Sequence, residues 1–187
     1  MFTPFALLLA FVATLAAAET HGITPHDMYS SSVGVLGCKI NTNRLLRIDQ
    51  SGGAYDISYD AYNYLVSGQG ATEHPITGGA VNMQVENISA DNCVQHLKAG
   101  GLALSASNSI NYVASCLGQP NSWVARNHRL FNIQDPVCHW GHDEQCTLDL
   151  AVSNQPSCPH GLGTTSGRLP DTVFNIQYGT GAVVAAP

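Results

Sequence analysis

Residues Leu45 to Leu65 read LLRIDQSGGAYDISYDAYNYL. The segment opens with a short apolar run, Leu45 to Ile48, of strand character. Gln50-Ser51-Gly52-Gly53 follows as a turn, since glycine takes positive φ without steric cost. A second run containing Tyr55 and Ile57 leads to Ser58, whose hydroxyl is placed to cap a helix. Asp60 suits the first turn of that helix, where free N–H groups favour a carboxylate. Ala61, Leu65 and the tyrosines supply one apolar face, and Gly68 ends it.

Outward from this segment, strand patterns dominate. Val33 to Ile40 (VGVLGCKI) reads as a first strand. Val81, Met83 and Val85 alternate with polar residues, as a half-buried strand requires. Asn92 to Lys98 reads as a short helix. Ser105 to Leu117 reads as the best helix, with Ser105 as its cap and Ile110, Val113, Ala114 and Leu117 on one face. Leu148 to Val152 and Val173 to Tyr178 are two further candidate strands, and Glu19 to Ser32 reads as a flexible polar arm. The expected fold class is mainly β with short helices (α+β).

The chain has 187 residues, 11% of them charged, against roughly 25% in an ordinary globular protein. A 44% apolar content supplies a core, which argues against wholesale disorder. Seven scattered Lys and Arg residues with a net charge of −6 make no basic patch. Nucleic acid and anionic membranes are therefore not expected partners. Met1 to Ala18 has the apolar run and small-residue end of a signal peptide, with Ala16 and Ala18 placing cleavage after residue 18. A single secreted domain over residues 19–187 is expected, with a core at 33–100 and a cysteine-rich extension at 101–187.

The six cysteines, Cys38, Cys93, Cys116, Cys138, Cys146 and Cys158, all follow that cleavage point. In an oxidising compartment an even number implies three disulfides, whose pairing the sequence leaves open. Asn87-Ile88-Ser89 is a glycosylation sequon at Asn87. His139, His142 and Asp143 form the most metal-like group, but the thiols lack paired C-x-x-C spacing. The expectation there is a polar loop pinned by a Cys138–Cys146 bridge, with no metal and no cofactor.

The pattern Ile48-Asp49, glycine turn, Tyr55-Asp56-Ile57-Ser58, then an alternating strand ending at Cys93, resembles the double-psi β-barrel. Barwins, expansins, some lytic transglycosylases and small-barrel endoglucanases share that fold. The likeness spans Leu45 to Cys93, and the whole chain also looks like a group of secreted filamentous-fungal proteins built around the same IDQSGGAYD core. It departs from expansins in having Ala54-Tyr55 where they carry His-Phe. It also lacks a segment between Cys38 and Arg47, leaving the barrel short of a strand unless the N-terminal arm replaces it.

The resemblance implies a polysaccharide groove with Asp56 as its contact, Asp49 holding the turn and Tyr55 lining the wall. If the protein were an enzyme, Asp56 would be its acid. Glycoside hydrolysis needs a second carboxylate about 5–9.5 Å away, and no acidic residue lies between Cys38 and Arg47. The expected role is thus non-hydrolytic interaction of a monomer with cell-wall polysaccharide. A secreted effector or inhibitor binding a host extracellular protein, and a lytic transglycosylase-like enzyme, are the other readings.

Overall fold

The computed structural model describes residues 19–26, 35–40, 47–51, 53–165 and 167–186, and of 47–51 the backbone path alone. The expected signal peptide, Met1 to Ala18, lies outside the described residues. Among them the chain is mixed α+β, with short strands in three separate sheets. None closes into a barrel, so the expected double-psi closure is not met.

The first sheet contains β1 (Glu19–His26), β2 (Arg47–Ser51), β3 (Ala54–Ser58) and β4 (Val81–Val85), in the order β2-β3-β1-β4. Ser51 pairs with Ala54, and Gly53 takes φ +87° in the turn between them, as a tight hairpin demands. Ser58 Oγ accepts from the Ala61 N–H and starts α1 (Tyr59–Ser67), which Gly68 ends in the left-handed conformation. Ile23, Ile57, Ala61 and Tyr62 form the core beneath this sheet.

Residues 19–26 are not the flexible arm expected. They fill the gap between β3 and β4, parallel to the first and antiparallel to the second. Ile23 supplies a buried anchor in an otherwise polar run, and the two neighbouring strands supply the ladder.

The second sheet, β5-β6-β7, contains β5 (Leu102–Ser105), β6 (His128–Ile133) and β7 (Gly141–Cys146). Strands β5 and β6 are parallel, and the crossover between them carries α2 (Ile110–Leu117) and α3 (Trp123–Asn127). Parallel strands need such a long connection. Leu130 to Ile133 are all buried. Leu130 packs with Leu104 and Val113, while Phe131 and Ile133 pack with Leu36 and Val137. A strand covered on both faces shows no alternation.

Several local expectations change accordingly. Leu102 to Ser105 is strand, so the helix starts at Ile110 and Ser105 is not its cap. VGVLGCKI is not a strand where it is described. Gly37–Lys39 forms a 3-10 turn, and Val35 and Ile40 make single bridges to Leu104 and Leu97. Leu148 to Val152 turns back on Asp149, whose carbonyl accepts from Val152 and Ser153, instead of extending. Asn92 to Lys98 falls largely within a 3-10 helix, Ala90–His96. The strand expected at Val173 to Tyr178 is β8 (Phe174–Ile176), which pairs with β9 (Val183–Ala185).

Two disulfides form, Cys38–Cys138 and Cys146–Cys158, and Cys93 and Cys116 are unbridged. The three expected bridges are therefore two, and the expected Cys138–Cys146 pair gives way to partners that are both farther apart in sequence, 100 and 12 residues. Cys38–Cys138 ties the 3-10 turn to the loop before β7, inside the core that holds Leu36 and Val137.

Candidate metal centre

Strand β7 presents alternate residues to opposite sides. His142, Glu144 and Cys146 share one side, and Asp143 and Gln145 the other, which is the more exposed. Asp143 is thereby turned away from its neighbour His142, and its carboxylate lies 2.6 Å from Lys39 Nζ. His139 sits before the strand, its N–H donating to the Asp135 carboxylate. The residues that looked most metal-like in the sequence, His139, His142 and Asp143, are therefore not one cluster.

The structure assembles a different trio. His142, Glu144 and His160 each offer a ligand atom, and these atoms all lie within 4.8 Å of one another. His160 Nδ1 is 2.6 Å from Glu144 Oε2, and the His160 backbone N–H donates to Glu144 Oε1 at 3.0 Å. The two imidazoles stack with centroids 4.1 Å apart and planes 7° from parallel.

Asn132, 1% exposed on β6, braces the arrangement. Its Nδ2 donates to Glu144 Oε1 and to the Gly161 carbonyl, and its Oδ1 accepts from the Gly163 N–H. One buried amide thus holds both the candidate carboxylate ligand and the loop that carries His160. Desolvation pushes the Glu144 carboxyl up. Hydrogen bonds from the His160 ring and amide and from Asn132, with the attraction of His160, outweigh it and hold the group at about 2. The carboxylate is ionised at any ordinary pH, the form in which it ligates.

The residues expected to grip glycan are placed differently. Asp56 is 4% exposed, and its Oδ1 accepts from the Thr24 hydroxyl on the adjacent strand, where Thr24 and Asp56 are register partners. Tyr55 stacks on His21, with centroids 4.5 Å apart, and packs against the Ile23 and Ile57 core. Asp49 stands opposite Asp56 in the β2–β3 ladder, and its side chain lies outside the described residues. Of the tyrosines on α1, Tyr59 and Tyr62 are buried and bond the Ile76 and Gly79 carbonyls, while Tyr64 is 60% exposed. Asp60 pins the following loop by accepting from the Ala71 N–H. Asn87 is exposed after β4.

A carboxylate enclosed between strands and bonded to Thr24 stabilises the sheet, and the polysaccharide reading has no exposed carboxyl at Asp56 to rest on. Asp56→Ala is accordingly expected to destabilise the protein by about 1–3 kcal/mol, the cost of leaving a buried hydrogen-bond partner unsatisfied. Thermal or urea unfolding checks this. An unchanged midpoint would show that the Thr24 contact contributes nothing.

The metal-like trio is only half visible in the sequence. His142-x-Glu144 in an alternating strand is a local signal, but the all-polar run GHDEQC gives no strand pattern. His160 lies 16 residues beyond Glu144 and is brought back by the Cys146–Cys158 bridge. No protein-family model, no curated protein and no solved structure matches this chain.

Proposed function

We propose that this chain is an exported protein that binds one divalent transition-metal ion through His142, Glu144 and His160. The observation that carries the reading is the convergence of two imidazoles and an ionised carboxylate within 4.8 Å. Two nitrogens and one oxygen suit Zn2+ best among abundant ions, because hard cations such as Mg2+ and Ca2+ prefer oxygen throughout. Three protein ligands leave a tetrahedral ion one position for water or an exogenous donor.

An imidazole lone pair lies in the ring plane, so two parallel stacked rings do not aim at one point. Binding requires them to turn out of the stack and the His160–Glu144 contact to open around the ion. His160 is 63% exposed and turns at little steric cost. Asn132 remains on Glu144 as the outer partner that fixes a ligating carboxylate.

Export is supported by the two disulfides, which persist in oxidising compartments. No helix among the described residues is long and apolar enough to cross a membrane.

Titration of the untagged protein with Zn2+ in a calorimeter tests the reading. One ion per chain is expected, with His160→Ala and Glu144→Gln each weakening binding by about 100-fold or more. Saturation at about 100 times Kd should raise the melting temperature by roughly 5–10 °C. Zn2+ uptake unchanged in both variants would place any binding elsewhere and sink the assignment.

A further inference from the structure

The Cys146–Cys158 bridge bears a specific relation to the proposed ligands, and the role inferred for it rests on that metal reading. Glu144 lies two residues before Cys146 on the same side of β7, and His160 lies two residues after Cys158. The disulfide therefore joins the two ligand-bearing segments next to the site. Beside it, Thr147 and Ser157 exchange both backbone hydrogen bonds, at 2.9 and 2.8 Å. Beyond it, the His160 N–H and the Asn132 amide hold the loop to Glu144. Cutting the bridge leaves His160 tethered to Glu144 by hydrogen bonds and a loop of 12 residues from Cys146 to Cys158. Holding that loop in place then costs conformational entropy which the covalent link otherwise removes.

We propose that the Cys146–Cys158 disulfide is a redox strap that sets the metal affinity of the His142–Glu144–His160 site. In oxidising surroundings the strap keeps His160 beside Glu144 and the ion is held. A thiol reductant such as glutathione opens it: two thiols give up two electrons and two protons, the S–S bond becomes two cysteine thiols, and the reductant leaves as its disulfide. His160 is then less well placed, and the affinity for the ion falls. Because the coupling is reciprocal, a bound ion must also protect this bridge.

Two measurements test the strap. In Cys146→Ala/Cys158→Ala, shown by circular dichroism to be folded, Zn2+ affinity is expected to fall about 10-fold or more. An unchanged affinity in the folded variant overturns the proposal. The second measurement uses the unaltered protein and does not depend on that variant folding. Equilibration in glutathione buffers of graded reducing power, with free Zn2+ held saturating, reads the coupling directly: each bridge takes two electrons and two protons from two glutathione thiols, which leave as glutathione disulfide. Trapping the protein thiols with an alkylating agent and mapping them by mass spectrometry gives the fraction reduced at each bridge. Saturating Zn2+ should make the equilibrium constant for reducing Cys146–Cys158 about 10-fold less favourable, by the same coupling, and leave Cys38–Cys138 unaffected, with Ca2+ shifting neither. Equal midpoints with and without Zn2+, equal protection of both bridges, or easier reduction of Cys146–Cys158 because the freed thiols ligate the ion would overturn the strap. If calorimetry finds no Zn2+ uptake at all, the metal reading itself has failed, a result distinct from uptake that ignores the bridge.

Discussion

Replacing Cys38 and Cys138 together with alanine is expected to lower unfolding stability by roughly 4–5 kcal/mol. The bridge spans 100 residues, so its loss releases a very large loop in the unfolded chain. The closure entropy of such a loop puts it at the upper end of what one disulfide contributes. Both cysteines are buried with Leu36, Phe131 and Val137, so alanine is the informative substitute, because serine would add the cost of burying a hydroxyl. The shorter Cys146–Cys158 bridge, 12 residues apart, should cost about 3 kcal/mol by the same reasoning. Urea unfolding of the two double variants measures the difference. Since small domains are stable by only about 5–15 kcal/mol, the first variant loses a large part of its margin. A smaller loss for Cys38–Cys138 than for Cys146–Cys158 would contradict the entropic ordering.

Gly141→Ala should be nearly as damaging, at about 3–5 kcal/mol. Gly141 opens β7 with φ +125°, a region that L side chains rarely adopt. A Cβ there would overlap the Asn132 carbonyl oxygen and come within 2.9 Å of Ile133 Cα. Both are backbone atoms of the buried central strand and cannot step aside. The β6–β7 register shifts between Phe131 and Ile133, which lets β7 approach so closely at this point. His142 is the next residue, so displacing Gly141 should weaken Zn2+ binding along with stability. Gly79→Ala is the control: its added methyl meets nothing within 4 Å, and a change within about 0.5 kcal/mol is expected. A Gly141→Ala protein as stable as the parent would refute the close approach of β6 and β7.

The stretch from Gly53 to Gly68 is readable because each of its signals acts within a few residues. Ser58 caps the helix that starts beside it, and Gly68 ends that helix by taking the left-handed conformation. The alternation of Val81, Met83 and Val85 likewise reports its own half-burial. Where sequence and structure part, the deciding contacts are distant. Residues 19–26 look polar and mobile until β3 and β4 provide ladders on both edges. Leu102 to Ser105 has apolar residues compatible with a helix start, but β6 pairs with it in parallel.

Asp56 shows the same division at a single side chain. Its position at a strand end before a capped helix is set by the residues around it. Whether its carboxyl meets solvent or Thr24 depends on which strand lies alongside, and that strand begins more than 30 residues earlier. Around β7 the sequence offers His139, His142 and Asp143 as neighbours. The pleat sends Asp143 towards Lys39 and pairs His142 with Glu144 instead.

From the sequence alone come the mixed, strand-rich class, the helix with its cap and stop, and the use of cysteines as cross-links. These depend on backbone geometry and side-chain chemistry over short separations. Tertiary structure alone decides that the described strands form three sheets, that Cys38 takes Cys138 and Cys146 takes Cys158, and that His160 joins His142 and Glu144. The physical reason is that closing a loop of 100 residues costs only about 2 kcal/mol more than closing one of 12, an amount that burying one or two apolar side chains outweighs, so spacing alone does not rank the possible partners. Packing around β6 ranks them, by burying that strand on both faces and carrying the distant segments to either side of it.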